Sequence, residues 1–409
     1  MKGFERESNV QYYGSRFPEL FERAEGPYLY DTRGRPYLDF LSGAGALNYG
    51  HNDPDLKSAL ISYLESNYIA NSLDLHTVSK LDFIKSFEDI ILLPRSYRYK
   101  LQFTGPTGAN AVEAAIKLAR KVTGRHNIAY FSNSYHGVSL GALSVTSSVG
   151  KRKSAGVPLT HGIALPYDNY FGGNEISFIE KMLATPGSGV DQPAAVIIET
   201  IQGEGGINVA SGVFLQQLQH LLKSLDILLI IDDIQAGCGR AGSFFSFEYL
   251  ELVPDIICLS KSLSGFGLPM SLVLIRDEID VWKPGEHNGT FRGNNLAFVT
   301  GKAALEKFWR DNAYQTVFDI SRQKIELLKE SIAEKFKIET KGRGMMSGFV
   351  LPSADLTERF IADSFKRGLI LESVGADNCV VKLFPPINAP IEVIEKGFKV
   401  IDEILQELL

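Results

Sequence analysis

Lys261 stands just beyond the apolar run at residues 255–259 (DIICL). It precedes Ser262-Leu263-Ser264-Gly265-Phe266-Gly267-Leu268-Pro269, a flexible turn leading into another apolar run. If the first run is a buried parallel strand, the lysine lies at the carboxyl edge of the sheet, where such sheets bind ligands. Partial desolvation there lowers its pKa enough for imine chemistry. Asp232-Asp233-Ile234-Gln235 directly follows a second apolar run at 227–231 (ILLII), so two carboxylates emerge at a strand end with little water nearby. A buried carboxylate needs a cationic partner, for which a protonated pyridine nitrogen would serve; the plainer reading is a strand-end aspartate capping a turn. A Schiff-base lysine together with an acid at a pyridine nitrogen is the pair that pyridoxal phosphate chemistry requires.

Two further segments belong with these. Thr104-Gly105-Pro106-Thr107-Gly108-Ala109 opens a helical pattern, so free N–H groups and the positive helix end would face a phosphate, with Thr107 also readable as an ordinary N-cap. Tyr135-His136-Gly137 follows the strand-like run 128–131 and offers an aromatic face on which a flat ring could stack. Gly237-Cys238-Gly239-Arg240-Ala241-Gly242 matches the letters of a dinucleotide fingerprint. It stands five residues beyond the strand and runs into Phe244, Phe245, Phe247 and Tyr249, which identifies a tight glycine-rich loop instead. The seven histidines show no metal-ligand spacing, so no metal is expected, and no G-x-S-x-G elbow is present.

The elements that must position these groups alternate. Runs at 194–199, 227–231, 255–259 and 271–275 read as buried strands, and amphipathic stretches at 108–121 and 214–223 read as helices. That alternation implies a mostly parallel sheet covered on both faces. From 297 to 335 the pattern is helical, and the last seventy residues mix strands with a closing helix over 391–408, a second, α+β unit. Two short strand candidates, 28–31 and 37–40, are joined by a turn and are expected to pack with that unit.

The whole chain sets the outer bounds. Its 409 residues leave room for two or three domains, and a net charge of −6 gives no electrostatic case for nucleic acid or an anionic membrane as partner. With 44% apolar and 22% charged residues it reads as a folded soluble protein. Cys238, Cys258 and Cys379 are spaced for neither disulfides nor zinc, and Met1-Lys2-Gly3-Phe4-Glu5-Arg6-Glu7 has no export core, so a cytoplasmic location is expected.

Taken jointly, Thr107-Gly108-Ala109, Tyr135-His136-Gly137, the stretch 199–206 (ETIQGEGG), Asp232-Asp233-Ile234-Gln235, Lys261 and the stretch 289–294 (GTFRGN) resemble the class III (ω-type) pyridoxal phosphate aminotransferases in order and spacing, from about Phe17 to the C-terminus. The resemblance implies fold type I: a large domain over 51–300 with a seven-stranded, mostly parallel sheet, and a small α+β domain built from 1–50 and 301–409. It also implies a homodimer with shared sites, or a tetramer of paired dimers. Carried onto this chain, it makes Lys261 the lysine that condenses with pyridoxal 5'-phosphate and Asp232 the partner of the ring nitrogen. Gln235 reaches the phenolic oxygen, Tyr135 and Ile234 enclose the ring, and His136 is a further cofactor contact. Thr107, Gly108 and Ala109 hold the phosphate, with Thr290 of the neighbouring subunit. This chain reads Asp-Asp-Ile-Gln where the family usually has Asp-Glu-Val-Gln.

The stretches 43–51, 230–240, 260–265 and 283–293 look most like the diaminobutyrate–2-oxoglutarate subgroup, whose reaction opens ectoine synthesis. The implied reaction transfers the amino group of L-glutamate to L-aspartate 4-semialdehyde, giving L-2,4-diaminobutyrate and 2-oxoglutarate. The alternative is another terminal amine, such as ornithine, 4-aminobutyrate or a natural-product intermediate. Relatives that handle ornithine or 4-aminobutyrate carry Arg where this chain has Val138, and another Arg where it has Lys382, opposite Glu204. Lysine lacks the bidentate fork, so carboxylate recognition must differ; Glu204, Arg292 and Lys382 are the candidate substrate contacts.

Overall fold

The computed structural model describes residues 4–409. Met1, Lys2 and Gly3, the start of the segment read as lacking an export core, lie outside the described residues.

Seven strands form the central sheet: β1 (Tyr99–Phe103), β2 (Ile128–Phe131), β3 (Gly162–Leu165), β4 (Ala195–Ile198), β5 (Leu228–Asp232), β6 (Ile256–Leu259) and β7 (Leu272–Arg276). Their spatial order is β1-β7-β6-β5-β4-β2-β3, and only the contacts of β7 are antiparallel. The expected seven-stranded, mostly parallel sheet is therefore present. All five residues of β5 are buried, as a strand with parallel neighbours and both faces covered must be. The strand also runs one residue further than its apolar pattern, so Asp232 is its last member rather than the first residue beyond it.

The helix Gly108–Thr123 buries Ala111, Ala115, Leu118 and Ala119, the face expected from spacing. Gly124, at φ +69, closes it in a left-handed turn that costs glycine nothing. The helix Gly212–Ser224 starts where Ser211 Oγ accepts from the Phe214 N–H at 3.2 Å.

Around this core lie two four-stranded sheets. One joins Phe21–Glu25, Tyr28–Asp31 and Pro36–Asp39 to Leu369–Ile370, with Leu38 opposite Leu369 in parallel. The N-terminal strands thus pack with the C-terminal unit, as their sequence predicts. The other sheet orders Thr340–Arg343, Met346–Val350, Val380–Leu383 and Glu372–Val374. The closing helix Ile391–Leu408 buries Ile394, Phe398, Ile401, Ile404 and Leu405. Gly397 lets it approach Phe40, since a Cβ there would stand 2.3 Å from that ring.

The glycine-rich loop is structural. Arg240 within it is fully buried; it donates through Nε to Asn48 Oδ1 at 3.0 Å and through a terminal nitrogen to the Met345 carbonyl at 3.2 Å, and it also reaches the Pro385 carbonyl. One guanidinium therefore joins three distant stretches of chain. Among the described residues, no helix is long and apolar enough to cross a membrane.

Candidate active site

Because β2, β4, β5 and β6 run parallel, their carboxyl ends share one edge of the sheet. Glu199 follows β4, Asp232 ends β5, and Lys261 lies two residues past β6. The loop carrying Tyr135 and His136 follows β2. Lys261 begins a short 3-10 turn with φ +51, a left-handed conformation that costs a non-glycine residue about 1 kcal/mol.

The Lys261 Nζ donates to the Ala44 carbonyl at 2.9 Å, and Gln235 Nε2 donates to the same oxygen at 3.1 Å. That carbonyl is aimed by a left-handed run, Ser42, Gly43, Ala44 and Gly45, with φ of 47°, 57°, 54° and 89°. The run is stitched to the lysine's own turn by Ser262 Oγ, which donates to the Gly45 carbonyl at 2.8 Å. Burial, assisted by the nearby Lys382 cation, brings the Lys261 amine down to about 8, against the opposing pull of Glu204, Glu372 and Asp232.

Asp232 and His136 form a buried pair, Oδ2 to Nδ1, at 2.7 Å, with their side chains 5% and 0% exposed. The other Asp232 oxygen accepts from the Ile234 N–H at 3.1 Å. The backbone N–H of His136 donates to Thr146 Oγ1 at 2.9 Å, so its ring is aimed at Asp232 from a fixed loop. The two side chains thus meet at the carboxyl edge of the sheet, on the side that carries Lys261. Asp233 points elsewhere: its Oδ2 accepts from the Ser246 N–H at 3.1 Å, and burial pushes its carboxyl up to about 7. Burial thus favours its neutral form, which lessens the demand for a cationic partner.

The cradle segment meets the same edge. The Thr107 N–H and hydroxyl both donate to Asn110 Oδ1, at 3.2 and 3.0 Å, leaving the first N–H groups of Gly108–Thr123 without helical partners. A Cβ on Gly108 would stand 3.0 Å from Ile234, and one on Gly137 would stand 2.7 Å from the Ala109 methyl. Those two approaches press the helix start, the Asp232 loop and the Tyr135 loop together.

A third group faces Lys261. Lys382 Nζ lies 3.0 Å from Glu204 Oε1 and 2.9 Å from Glu372 Oε1, with exposures of 1%, 29% and 3% for the three side chains in that order. Burial would raise the Glu204 carboxyl, but the Lys382 and Lys261 ammonium groups outweigh it and hold Glu204 at about 2. The expected opposition of Lys382 and Glu204 is therefore present. Arg292 is placed differently: it donates to the His287 carbonyl at 3.0 Å and lies 3.9 Å from Asp74. Thr290 is exposed.

Two carboxylates escaped the sequence reading. Glu199 accepts from the Tyr135 N–H at 2.9 Å and the Gly203 N–H at 3.1 Å, and burial pushes it up to about 7. It closes the run AAVIIE as Asp232 closes ILLIID, so the same strand-end signal marks both. Glu372 sits in a mostly apolar stretch, LILESV, as its one charged residue, where a lone acid signals a buried cation partner.

The family model described as "Aminotransferase class-III" matches residues 12–405. The chain is 51% identical over 401 residues to an uncharacterized aminotransferase of Sinorhizobium fredii, covering 97% of this chain and 89% of that one. It is 50% identical over 404 residues to the diaminobutyrate–2-oxoglutarate transaminase of Vibrio cholerae, covering 98% of each. Among solved structures, the ornithine aminotransferase of Toxoplasma gondii superposes with a TM-score of 0.85 at 25% identity, over 98% of this chain and 93% of that one. This chain belongs to the aminotransferase class-III family.

Proposed function

We propose that the protein is a diaminobutyrate–2-oxoglutarate transaminase: with pyridoxal 5'-phosphate it moves the amino group of L-glutamate to L-aspartate 4-semialdehyde, giving L-2,4-diaminobutyrate and 2-oxoglutarate. The observation that carries the reading is one sheet edge bearing a lysine amine lowered to about 8 beside a buried Asp232–His136 pair. Identity of about half over nearly the full length to enzymes bearing that name, from Vibrio cholerae and Streptomyces avermitilis, supports the substrates.

The residues fit the cofactor. Gln235 Oε1 and His136 Nε2 are buried without protein partners, polar atoms whose isolation is costly unless a bound group meets them. Thr107, Gly108 and Ala109 would hold the phosphate at the helix start, Tyr135 and Ile234 the two ring faces, Asp232 the ring nitrogen, and Gln235 the phenolic oxygen. The cofactor supplies an aldehyde carbon for an amine and a ring that accepts the electron pair left when a proton departs next to nitrogen.

The chain supplies the rest. Lys261 Nζ would be the base that takes the proton from the substrate carbon bearing nitrogen, and the acid that returns it to the carbon on the other side of that nitrogen. The lowered basicity gives it a neutral form near pH 8, while the Ala44 carbonyl fixes where it points. Asp232, oriented by His136, favours a proton on the ring nitrogen, a stabilisation that grows as negative charge develops.

We assign the homodimer to the same proposal. Leu64, Tyr68, Ile69, Leu73, Leu75 and Val78 are all at least half exposed, an apolar face suited to a second copy. Arg292 lies 3.9 Å from Asp74 within this stretch, and the exposed Thr290 two residues earlier would, on this reading, complete a phosphate site as the partner subunit's Thr290. The division into a unit over 51–300 and a unit from both termini is supported by the strand pairing between Pro36–Asp39 and Leu369–Ile370. A reducing, cytoplasmic setting accords with Cys238 and Cys258 buried as free thiols.

Borohydride reduction of the yellow holoenzyme followed by peptide mapping should label Lys261; a label on any other residue overturns the assignment. Steady-state kinetics with an amine and aldehyde panel should then favour diaminobutyrate. Turnover confined to ornithine or 4-aminobutyrate would replace the substrate while keeping the chemistry.

A further inference from the structure

Three groups surround the ammonium of Lys382: one hydrogen-bond acceptor, one further carboxylate in ion-pair contact and one aromatic face. Glu204 lies 3.0 Å away, Glu372 2.9 Å away, and the face of the Phe384 ring is the third, with its centroid 4.4 Å from Nζ. The two carboxylates are not equivalent. Glu372 sits directly across the strand pair from Lys382, on the same face of the sheet, and is buried. Its second oxygen accepts from the Tyr13 hydroxyl at 3.0 Å, so the N-terminal segment fastens it from the far side. Glu204 is 29% exposed and stands on a loop held to the next stretch by its carbonyl, which accepts from the Gly375 N–H at 3.0 Å. Glu204 is therefore the more open of the two, although Gln235 Nε2 also lies 3.5 Å from the oxygen that meets Lys382.

A substrate carboxylate can therefore reach Lys382 only by displacing Glu204, and what it then meets is not a free cation. Glu372 remains within hydrogen-bond distance, so the Lys382–Glu372 pair is neutral as a unit. We infer that Glu372 is a specificity-determining residue: by cancelling the charge of Lys382, it weakens the hold on substrates whose reacting carbon carries a carboxylate and favours terminal amines, whose reacting carbon carries only hydrogen. This rests on Lys261 marking the reacting centre, and it deepens the substrate class proposed above. Lysine suits the arrangement where arginine would not. The five guanidinium donors, fixed in a fork, would leave several free to grip a substrate carboxylate after meeting both acids, whereas lysine is a compact point charge that two carboxylates and a ring enclose.

Glutarate tests this directly, because it is a dicarboxylate without an amine and binds without reacting. In calorimetry on the holoenzymes, Glu372→Gln should bind glutarate about tenfold more tightly than the parent protein, since the glutamine keeps a hydrogen bond to Lys382 and removes the opposing charge. Glutamate's KM should fall in the same variant, while that of diaminobutyrate does not. Removing both charges together, in Glu372→Gln/Lys382→Met, should leave glutarate affinity within about threefold of the parent, because a neutral pair is replaced by neutral side chains. The double variant also answers the question if the single one fails to fold. Unchanged or weaker glutarate binding by Glu372→Gln, or a loss of about tenfold or more in the double variant, would show that Lys382 acts as an uncancelled cation and overturn the inference. Glutarate binding needs no turnover. A protein that ignores diaminobutyrate yet follows this pattern would lose its proposed substrate and retain the role of Glu372.

Discussion

At the single-residue scale, the central quantity is the proton on Lys261. Its amine loses its charge near pH 8 instead of near 10.5, because burial and Lys382 disfavour the cation more than Glu204, Glu372 and Asp232 favour it. Only the neutral amine attacks an aldehyde, so the rate at which apo protein captures pyridoxal phosphate should rise with pH and level off above about 8. Stopped-flow absorbance would show it; a rise continuing to pH 10 would mean an ordinary lysine. Glu204→Gln removes an anion that favours the charged form, so its midpoint should move down. Asp232→Asn should retain bound cofactor yet slow proton removal from glutamate by about 10²–10⁴-fold in single turnovers, because the ring nitrogen loses its anionic partner. A near-parent rate would separate Asp232 from the chemistry. Lys261 and Asp232 were legible because one closely follows and the other ends an apolar strand of the sheet, a position that local sequence marks. Glu372 was not, since its meaning depends on Lys382 and on Glu204, 178 positions from that lysine. The Ser42–Gly45 run was hidden for another reason: Ser42 and Ala44 are not residues that announce a left-handed turn, and contacts from distant residues, Lys261, Gln235 and Ser262 to its carbonyls and the Phe384 carbonyl to the Ser42 hydroxyl, help hold them there.

At the scale of elements, the site depends on three segments pressed together at the opening of the helix Gly108–Thr123. Gly137 is the tightest point, with φ +126 and room for no Cβ beside Ala109. Gly137→Ala adds both backbone strain and a clash, so either the Tyr135 loop or the helix start must shift. We expect a stability loss of about 1–3 kcal/mol and a cofactor dissociation constant raised about tenfold or more, read from thermal melts and the visible absorbance of the bound cofactor. A variant that loses stability but holds the cofactor as tightly as its parent would show that the loop does not set the ring's position. Where the element reading failed, packing decided. The helical pattern over 297–335 is interrupted: after Asn295–Ala304 the chain widens into a π turn over Leu305–Trp309 and restarts at Gln315–Phe336. Phe308 stacks on Tyr49 with centroids 4.3 Å apart, and Trp309 Nε1 donates to the Tyr49 hydroxyl at 2.7 Å. Two aromatic side chains thus meet one residue from the other end of the chain, a demand that helical periodicity does not record.

At the scale of the whole molecule, the exposed stretch between the helices Pro54–Glu65 and Val78–Phe87 bears on assembly. It is held in place rather than frayed: the buried Asn295 donates to the Ser72 hydroxyl at 3.0 Å and the Ala70 carbonyl at 3.3 Å, and accepts from the hydroxyls of Thr77 at 2.6 Å and Ser79 at 2.8 Å. Ordering a backbone so that Tyr68, Ile69, Leu73 and Leu75 face solvent gains nothing for a lone chain; the second copy proposed above would bury them. Ile69→Asp should therefore leave the melting temperature of the isolated chain little changed while halving the mass in solution, and weaken cofactor retention as Thr290 is withdrawn. An unchanged mass would place the interface elsewhere. Shared sites make a stricter demand. If each site takes Lys261 from one copy and Thr290 from the other, co-expressing Lys261→Ala with Thr290→Ala generates mixed dimers with one intact site. Random pairing then restores about one quarter of parent sites, although Lys261→Ala alone restores none. Activity no greater than that expected of all the Thr290→Ala chains present, in homodimers and mixed dimers alike, would mean that each chain completes its own phosphate site.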